Sequence, residues 1–260
     1  MKPDSILFGL LIFILASCSV KEQRGPCPCL LSIKISDTLS ATGNLALAVW
    51  DENPIFYDKI AMSDRPSIYE KSVPKGLYTI SAVVGENNMT REEKALTIPL
   101  GLDSDKIWGY TSTVDCSNEF AIDTTEFRKH FTLVSIEFKN LIDDFEGLEF
   151  FIKSNTAGLY LNDFSPLEGD FRYALNLDEE HCGTVCLPRQ RQGNRSLRVE
   201  IVCSGAVIEN LPLWSWIEET GYDWYKPDLN DINISVDYSM MMVTVKIAGW
   251  KNGEKKIFII

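Results

Sequence analysis

Apolar and polar positions alternate with a period of two along most of the chain. In "LLSIKIS" the apolar positions are Leu31, Ile33 and Ile35, and "NLALAVWD" repeats the pattern with Leu45, Leu47 and Val49. "LYTISAVVG" follows a Pro-Lys-Gly turn at residues 74–76. "FTLVSIEFK" alternates through Phe131, Leu133 or its neighbour Val134, Ile136 and Phe138. "LEFFIK", "SLRVEIVC", "INISVDY" and "MMVTVKIAGW" complete the set. Successive side chains of a strand point to opposite faces. Alternating β-branched and aromatic residues between Gly, Asn, Asp and Pro turns therefore predict half-buried strands. Helical periodicity is scarce, and "TTEFRKHF" at 124–131 reads as a turn before a strand. The pattern predicts an all-β chain of sandwich type. The least regular interval, Glu86 to Thr125, is expected to hold loops and the crossing between two domains. The boundary is placed near residue 125, because a fresh strong strand starts at Phe131.

Ahead of the alternation stands a different pattern. Residues 5–16, "SILFGLLIFILA", form one apolar run preceded by Lys2. Its length suits the hydrophobic region of an export signal, whereas a bilayer span needs roughly 20 apolar residues. "LASC" at Leu15 to Cys18 then reads as a bacterial lipobox, in which the cysteine is acylated and the chain cut just ahead of it. Residues 1–17 are thus expected to be a lipoprotein signal peptide and 18–28 a lipidated spacer. Each buried CH2 of an acyl chain contributes about 0.8 kcal/mol, so a multiply acylated Cys18 would hold the protein to a membrane. Ser19 follows the cysteine, where an Asp would suggest inner-membrane retention.

Charge narrows the partners. The formal net charge is −12 and the pI about 4.7. Nucleic acid and anionic headgroups repel such a chain, so no nucleic-acid partner is expected and membrane contact falls to the lipid on Cys18. The 45% hydrophobic content suffices for a real core. With Cys18 acylated, Cys27, Cys29, Cys116, Cys182, Cys186 and Cys203 remain. In an exported chain these read first as disulfide partners, with connectivity open. Cys27 and Cys29 flank Pro28, and a bridge between them would be strained, so each is expected to bond elsewhere or stay free. The metal alternative, His181, Cys182 and Cys186 joined by the Cys-Pro-Cys pair, matches none of the compact zinc spacings, and no metal or cofactor is expected.

No glycine-rich phosphate loop, HExxH or GxSxG motif occurs, and the chain is expected to be no enzyme. The acidic clusters "IDDFE" and "LDEEH" fall in expected loops, where such runs form solvated faces. Trp214, Trp216, Tyr222, Trp224 and Tyr225 gather in "LWSWIEETGYDWYKP". Exposed rings of that kind could stack on sugars, but packing over the end of a sandwich is the preferred reading. After a hairpin signal at Asn252-Gly253 the chain closes on "KKIFII". Ile257, Phe258, Ile259 and Ile260 form a strand that either returns onto its own domain or is donated to a partner's sheet.

Together the lipobox at Cys18, "VKEQRGPCPCLLSIKIS", "VPKGLYTISAVVG", "HFTLVSIEFK" and "KPDLNDINISVDYSMMMVTVKIAGW" resemble the fimbrial anchor lipoproteins of Bacteroidales, associated with fimbrillin-type pili. The resemblance implies two transthyretin-like β-sandwich domains in tandem, here 29–125 and 126–260. It also implies a lipid-anchored, non-enzymatic role at the outer membrane, with a fimbrillin-like stalk subunit as partner. In related pilins a leading segment is cut away at a basic residue, and another subunit's strand fills the opened groove. Here only Ser19 to Pro28 separate the lipid from strand-like sequence. That is too short for an edge strand of about 5–6 residues plus a flexible cleavage region. The spacing favours an anchor that terminates assembly. The alternatives are a surface glycan-binding lipoprotein and a polymerising or tip subunit.

Overall fold

The computed structural model describes residues 27–36, 43–140, 147–249 and 254–258. The signal peptide, Cys18, the "IDDFE" cluster, the Asn252-Gly253 turn and Ile259–Ile260 lie outside the described residues. The architecture is all-β, as the alternation predicts, with the strands gathered in two sandwiches.

In the first sandwich a three-stranded sheet runs β4 (Ile68–Val73), β1 (Cys29–Lys34), β9 (Phe120–Thr124). It faces a five-stranded sheet ordered β10 (Arg128–Lys129), β8 (Trp108–Asp115), β5 (Leu77–Val84), β2 (Asn44–Trp50), β3 (Pro54–Ala61). Leu31, Ile33, Leu45, Leu47, Val49, Ile80, Ala82 and Val84 fill the space between them.

The second sandwich pairs two larger sheets. One runs β14 (Cys182–Pro188), β11 (Phe131–Lys139), β17 (Ile232–Asp237), β18 (Met242–Ile247), β19 (Glu254–Phe258). The other runs β16 (Ala206–Leu211), β15 (Arg198–Cys203), β12 (Leu148–Tyr160), β7 (Ala95–Thr97), β6 (Thr90–Glu92), with β13 (Pro166–Ala174) also paired to the long β12. In β11 it is Val134, with Ile136 and Phe138, that faces this core, while Leu133 is half-buried.

The opening strands of the two sandwiches are placed alike. β1 lies between antiparallel β4 and parallel β9, and β11 lies between antiparallel β14 and parallel β17. Parallel neighbours need a long crossover, so each sandwich closes only when a late strand returns beside its first one.

The two halves share apolar surface. β2 is buried on both faces: Leu45, Leu47 and Val49 face the first core, while Ala46, Ala48 and Trp50 join the second. Residues 86–107, expected to be loops, supply Met89, Leu96, Ile98 and Ile107 to the second core. Although they precede residue 125, β6 and β7 belong to the second sandwich, where β7 pairs with β12. Gly158 of β12 permits this, because a Cβ there would meet the Leu96 carbonyl oxygen at 1.9 Å. Asp105 holds the approach to β6, its Oδ2 accepting the backbone N–H groups of Asn87, Asn88 and Met89 at 2.8 Å each. At the crossover, buried His130 stacks on Phe164 with ring centroids 4.2 Å apart. Its Nδ1 lies 3.2 Å from Arg189 Nη2. Burial and the Arg189 charge hold the imidazole pKa down at about 3, so the ring is neutral and Nδ1 accepts from the guanidinium.

Candidate functional site

For a protein without catalytic motifs, the question is which strands are committed and which edges are open. β1 is committed. Residues 29–34 pair in antiparallel register with Val73 down to Ile68, and residues 30–34 pair in parallel register with residues 120–124. The pairing extends beyond the strand: Ile35 N–H donates to Ser67 O at 2.9 Å, and Thr125 N–H donates to Lys34 O at 2.9 Å. Ser36 N–H donates to Thr125 Oγ1 at 3.0 Å. Cys29, Leu31 and Ile33 are fully buried in the first core. Leu30 and Lys34 face outward, as alternation requires. Withdrawing β1 would open a long groove between β4 and β9.

The six described cysteines divide between the halves, and none of them is bridged in the structure. Cys27 is exposed just before β1, whereas Cys29 is buried as its first residue. Cys116, directly after β8, is buried in the same core as Cys29. In the second sandwich Cys182 opens β14, Cys186 is buried further along it, and Cys203 ends β15. Cys186 N–H donates to Asp103 Oδ2 at 3.0 Å, and burial pushes its thiol pKa well up. Cys182 and Cys186, with His181 just ahead of β14, are thus in a different sandwich from Cys27 and Cys29. Among the described residues no group of three or more His, Cys, Asp or Glu side chains is gathered as a metal site.

The sequence matches no protein-family model and no curated protein. Solved structures do match. One, described as a candidate polysaccharide-binding protein from Bacteroides thetaiotaomicron, is 14% identical with a TM-score of 0.65, over 88% of this chain and 98% of that one. The fimbrial anchor protein Mfa2 from Porphyromonas gingivalis is 14% identical with a TM-score of 0.62, over 86% and 98%. A candidate adhesin from B. thetaiotaomicron is 14% identical with a TM-score of 0.59, over 90% and 99%. The chain has the fold of Bacteroidales fimbrial and adhesin proteins.

The remaining features singled out in the sequence fall in the second sandwich. The aromatic segment holds a short helix, α1 (Leu213–Glu219), where the sequence pattern predicts none. Trp216, Tyr222 and Trp224 are buried in the second core, and Trp214 packs against its edge under the Arg195 guanidinium. Tyr222 O–H donates to Asn230 O at 2.7 Å. Tyr225 alone of the five rings is well exposed, at 66%. A face for stacking sugars would need several exposed rings, so the segment is packing. The polar cleft of Asn155, Thr156, Glu168, Arg191, Asn194 and Ser196 uses its groups on itself. Arg191 there pairs with Glu168 at 2.6 Å, and Asn194 bonds Thr156 and Ser196.

β19 is the outer strand of its sheet. Residues 254–258 pair antiparallel with Lys246 down to Met242 of β18, placing Ile257 against Val243. Ile257 is half-buried against the second core, and Lys255 Nζ donates to Glu219 O of α1 at 2.8 Å. The strand is therefore docked on one edge and by one face. "LDEEH" forms the turn between β13 and β14, where Asp178 Oδ1 accepts the N–H groups of Glu180 and Cys182. Among the described residues no helix is long and apolar enough to cross a membrane.

Proposed function

We propose that the protein is an outer-membrane lipoprotein, tethered through acyl chains on Cys18, that holds the base of a fimbrillin-type pilus at the cell surface and ends its assembly. It is a structural, non-enzymatic role. The observation that supports it most is the place of β1. A polymerising subunit must give up its first strand to accept a neighbour's by β-strand addition. Here that strand is hydrogen-bonded along both edges and buries Cys29, Leu31 and Ile33. A subunit that keeps this strand offers no vacant groove in its first sandwich, and growth stops there. The shared fold with the fimbrial anchor Mfa2 supports the same reading. Contact with the stalk then falls to other surfaces, of which β19, with its outer edge and exposed Lys255 and Lys256, is the strand best placed to extend a partner's sheet.

Mass spectrometry of the protein recovered from the cell envelope tests the proposal. The mature chain is expected to begin at an acylated Cys18 and to retain residues 27–36. A Cys18→Ala strain is expected to release its pili into the medium. A mature chain beginning after β1, or pili retained in full by that strain, would overturn it.

A further inference from the structure

The first core contains two cysteines, and the fold delivers both to one place. Cys29 is in register with Val73, the last residue of β4. Val73 leads into the Pro74–Gly76 turn, and the N–H of Cys116 donates to Gly76 O at 2.8 Å. One cysteine is thus held at the start of that short turn and the other at its end. Tyr78 closes over the turn, its O–H donating to Pro74 O at 2.9 Å. Both residues have zero exposure, and Cys29 is close enough to help raise the Cys116 pKa. Every other described cysteine lies elsewhere: Cys27 faces solvent, and Cys182, Cys186 and Cys203 are in the second sandwich.

We infer that Cys29 and Cys116 are joined by a disulfide in the mature protein, fastening the beginning of β1 to the end of β8. The bond rests on the export proposed above, because an oxidising compartment is where such a bridge persists. It also deepens that reading, since a covalently fastened β1 stays with the domain even if the spacer before it is cut.

The chemistry requires an oxidant, here a protein or small molecule carrying a reactive disulfide. The thiolate of one cysteine attacks that disulfide, forming a mixed disulfide and releasing one donor thiolate. The second cysteine then attacks the protein-side sulfur of the mixed disulfide. The Cys29–Cys116 S–S bond forms and the second donor thiolate leaves. Two electrons and the two thiol protons end on the reduced donor. Burial and the adjacent Cys29 thiol push the Cys116 pKa up to about 12, so Cys116 holds almost no thiolate in the buried core of the folded protein. Oxidation therefore belongs to the folding stage, before β1 is fully covered.

Peptide mapping of the envelope-purified protein, alkylated under denaturing conditions without reductant, tests the inference. The expected product is one Cys29–Cys116 linked peptide in near-stoichiometric yield, absent from a Cys29→Ala/Cys116→Ala variant. Because the bridge closes a loop of about 90 residues, reduction should lower the melting temperature by roughly 10 °C. The double variant should show no such response to reductant. Recovery of both cysteines alkylated from envelope protein, or of Cys29 linked to another cysteine, would overturn the inference while leaving the anchor proposal standing. Refolding cytosol-expressed protein in an oxidised-glutathione buffer separates the two. Formation of the bridge there, with native protein absent from the envelope, would sink the anchor reading and support the pairing.

Discussion

Replacing Ile33 with alanine removes an apolar group from the middle of β1, where the side chain has no solvent exposure and lies among Leu31, Leu47 and Ile80 of the first core. Deleting a buried Ile side chain down to Cβ costs about 2–5 kcal/mol, through lost transfer free energy and the cavity left behind. This site should fall near the middle, at ~3 kcal/mol, because β1 is hydrogen-bonded on both sides and cannot shift freely to close the gap. For a chain of this size each kcal/mol shifts the melting temperature by roughly 2–4 °C, so a drop near 10 °C is expected. The control is Leu30→Ala on the outward face of the same strand, where the side chain is 37% exposed and the cost should stay below about 1 kcal/mol.

Thermal melts and urea midpoints of the two variants decide. The contrast between adjacent positions matters more than either value, because both substitutions shorten one side chain in one strand. Equal, small losses at Ile33 and Leu30 would refute the placement of β1 in the core, and with it the argument that the first sandwich presents no vacant groove. Limited trypsin digestion gives a second readout. Lys34 is exposed but sits in a strand paired on both sides, so cleavage after it should be slow in the parent and faster in Ile33→Ala.

Two further substitutions probe the junction of the sandwiches. His130 is neutral in the fold with a pKa near 3, against about 6.5 in the unfolded chain, so the unfolded state binds the extra proton and stability falls as pH drops from 6.5 toward 3. Between pH 7 and pH 5 the parent should lose up to about 2 kcal/mol more than His130→Phe, measured by urea unfolding, and parallel pH curves would refute this. Asp105→Ala leaves three backbone N–H groups without their shared carboxylate and should cost at least about 3 kcal/mol in the urea midpoint. A loss under about 1 kcal/mol would show that the approach to β6 does not depend on it.

The strands legible in the sequence are those with one apolar and one polar face or a strong apolar run, such as β1, β11, β17 and β18. The strands that escape are edge strands and strands rich in Thr, Ser and charge. β4, "IYEKSV", buries fully only Val73, and β8, "WGYTSTVD", fully buries only Gly109 and Val114. Such segments are strands because their neighbours offer hydrogen bonds, which leaves little mark on hydropathy. β2 shows the opposite case. Its run "LALAVW" is apolar on both faces because Ala46, Ala48 and Trp50 meet residues of the second sandwich. That contact is long-range, and alternation alone does not reveal it. The aromatic segment reads as packing, which its burial bears out, but "LWSWIEE" within it is helical. Cys29 and Cys116 are legible as disulfide candidates but not as a pair, because only the turn from β4 to β5, which passes from one sheet to the other, brings them together.

The direction of β1 bears on how an anchor would carry load. On the proposed role, tension enters at the lipid and pulls on the N-terminal end of β1, while the pilus pulls through the second sandwich. After its earlier excursion through β6 and β7, the chain enters that sandwich for good from the C-terminal end of β9, through Thr125 and β10 into β11. Since β1 and β9 are parallel, these pulls act in opposite senses along two adjacent strands. The load is then a shear shared by all the bonds between residues 30–34 and 120–124, together with the Thr125 bond to Lys34 O. Antiparallel strands pulled from the same ends would instead unzip, with their bonds breaking in succession. Forced unfolding is set by the barrier to leaving the native state, and a shear barrier requires several bonds to break together. Single-molecule stretching between residue 27 and the second sandwich should therefore give one high-force event for the first sandwich. Thr125→Pro, which removes the N–H donated to Lys34 O, should lower that force more than it lowers equilibrium stability. Stepwise opening at low force in the parent would show that β1 peels, and that this topology is not what bears the load.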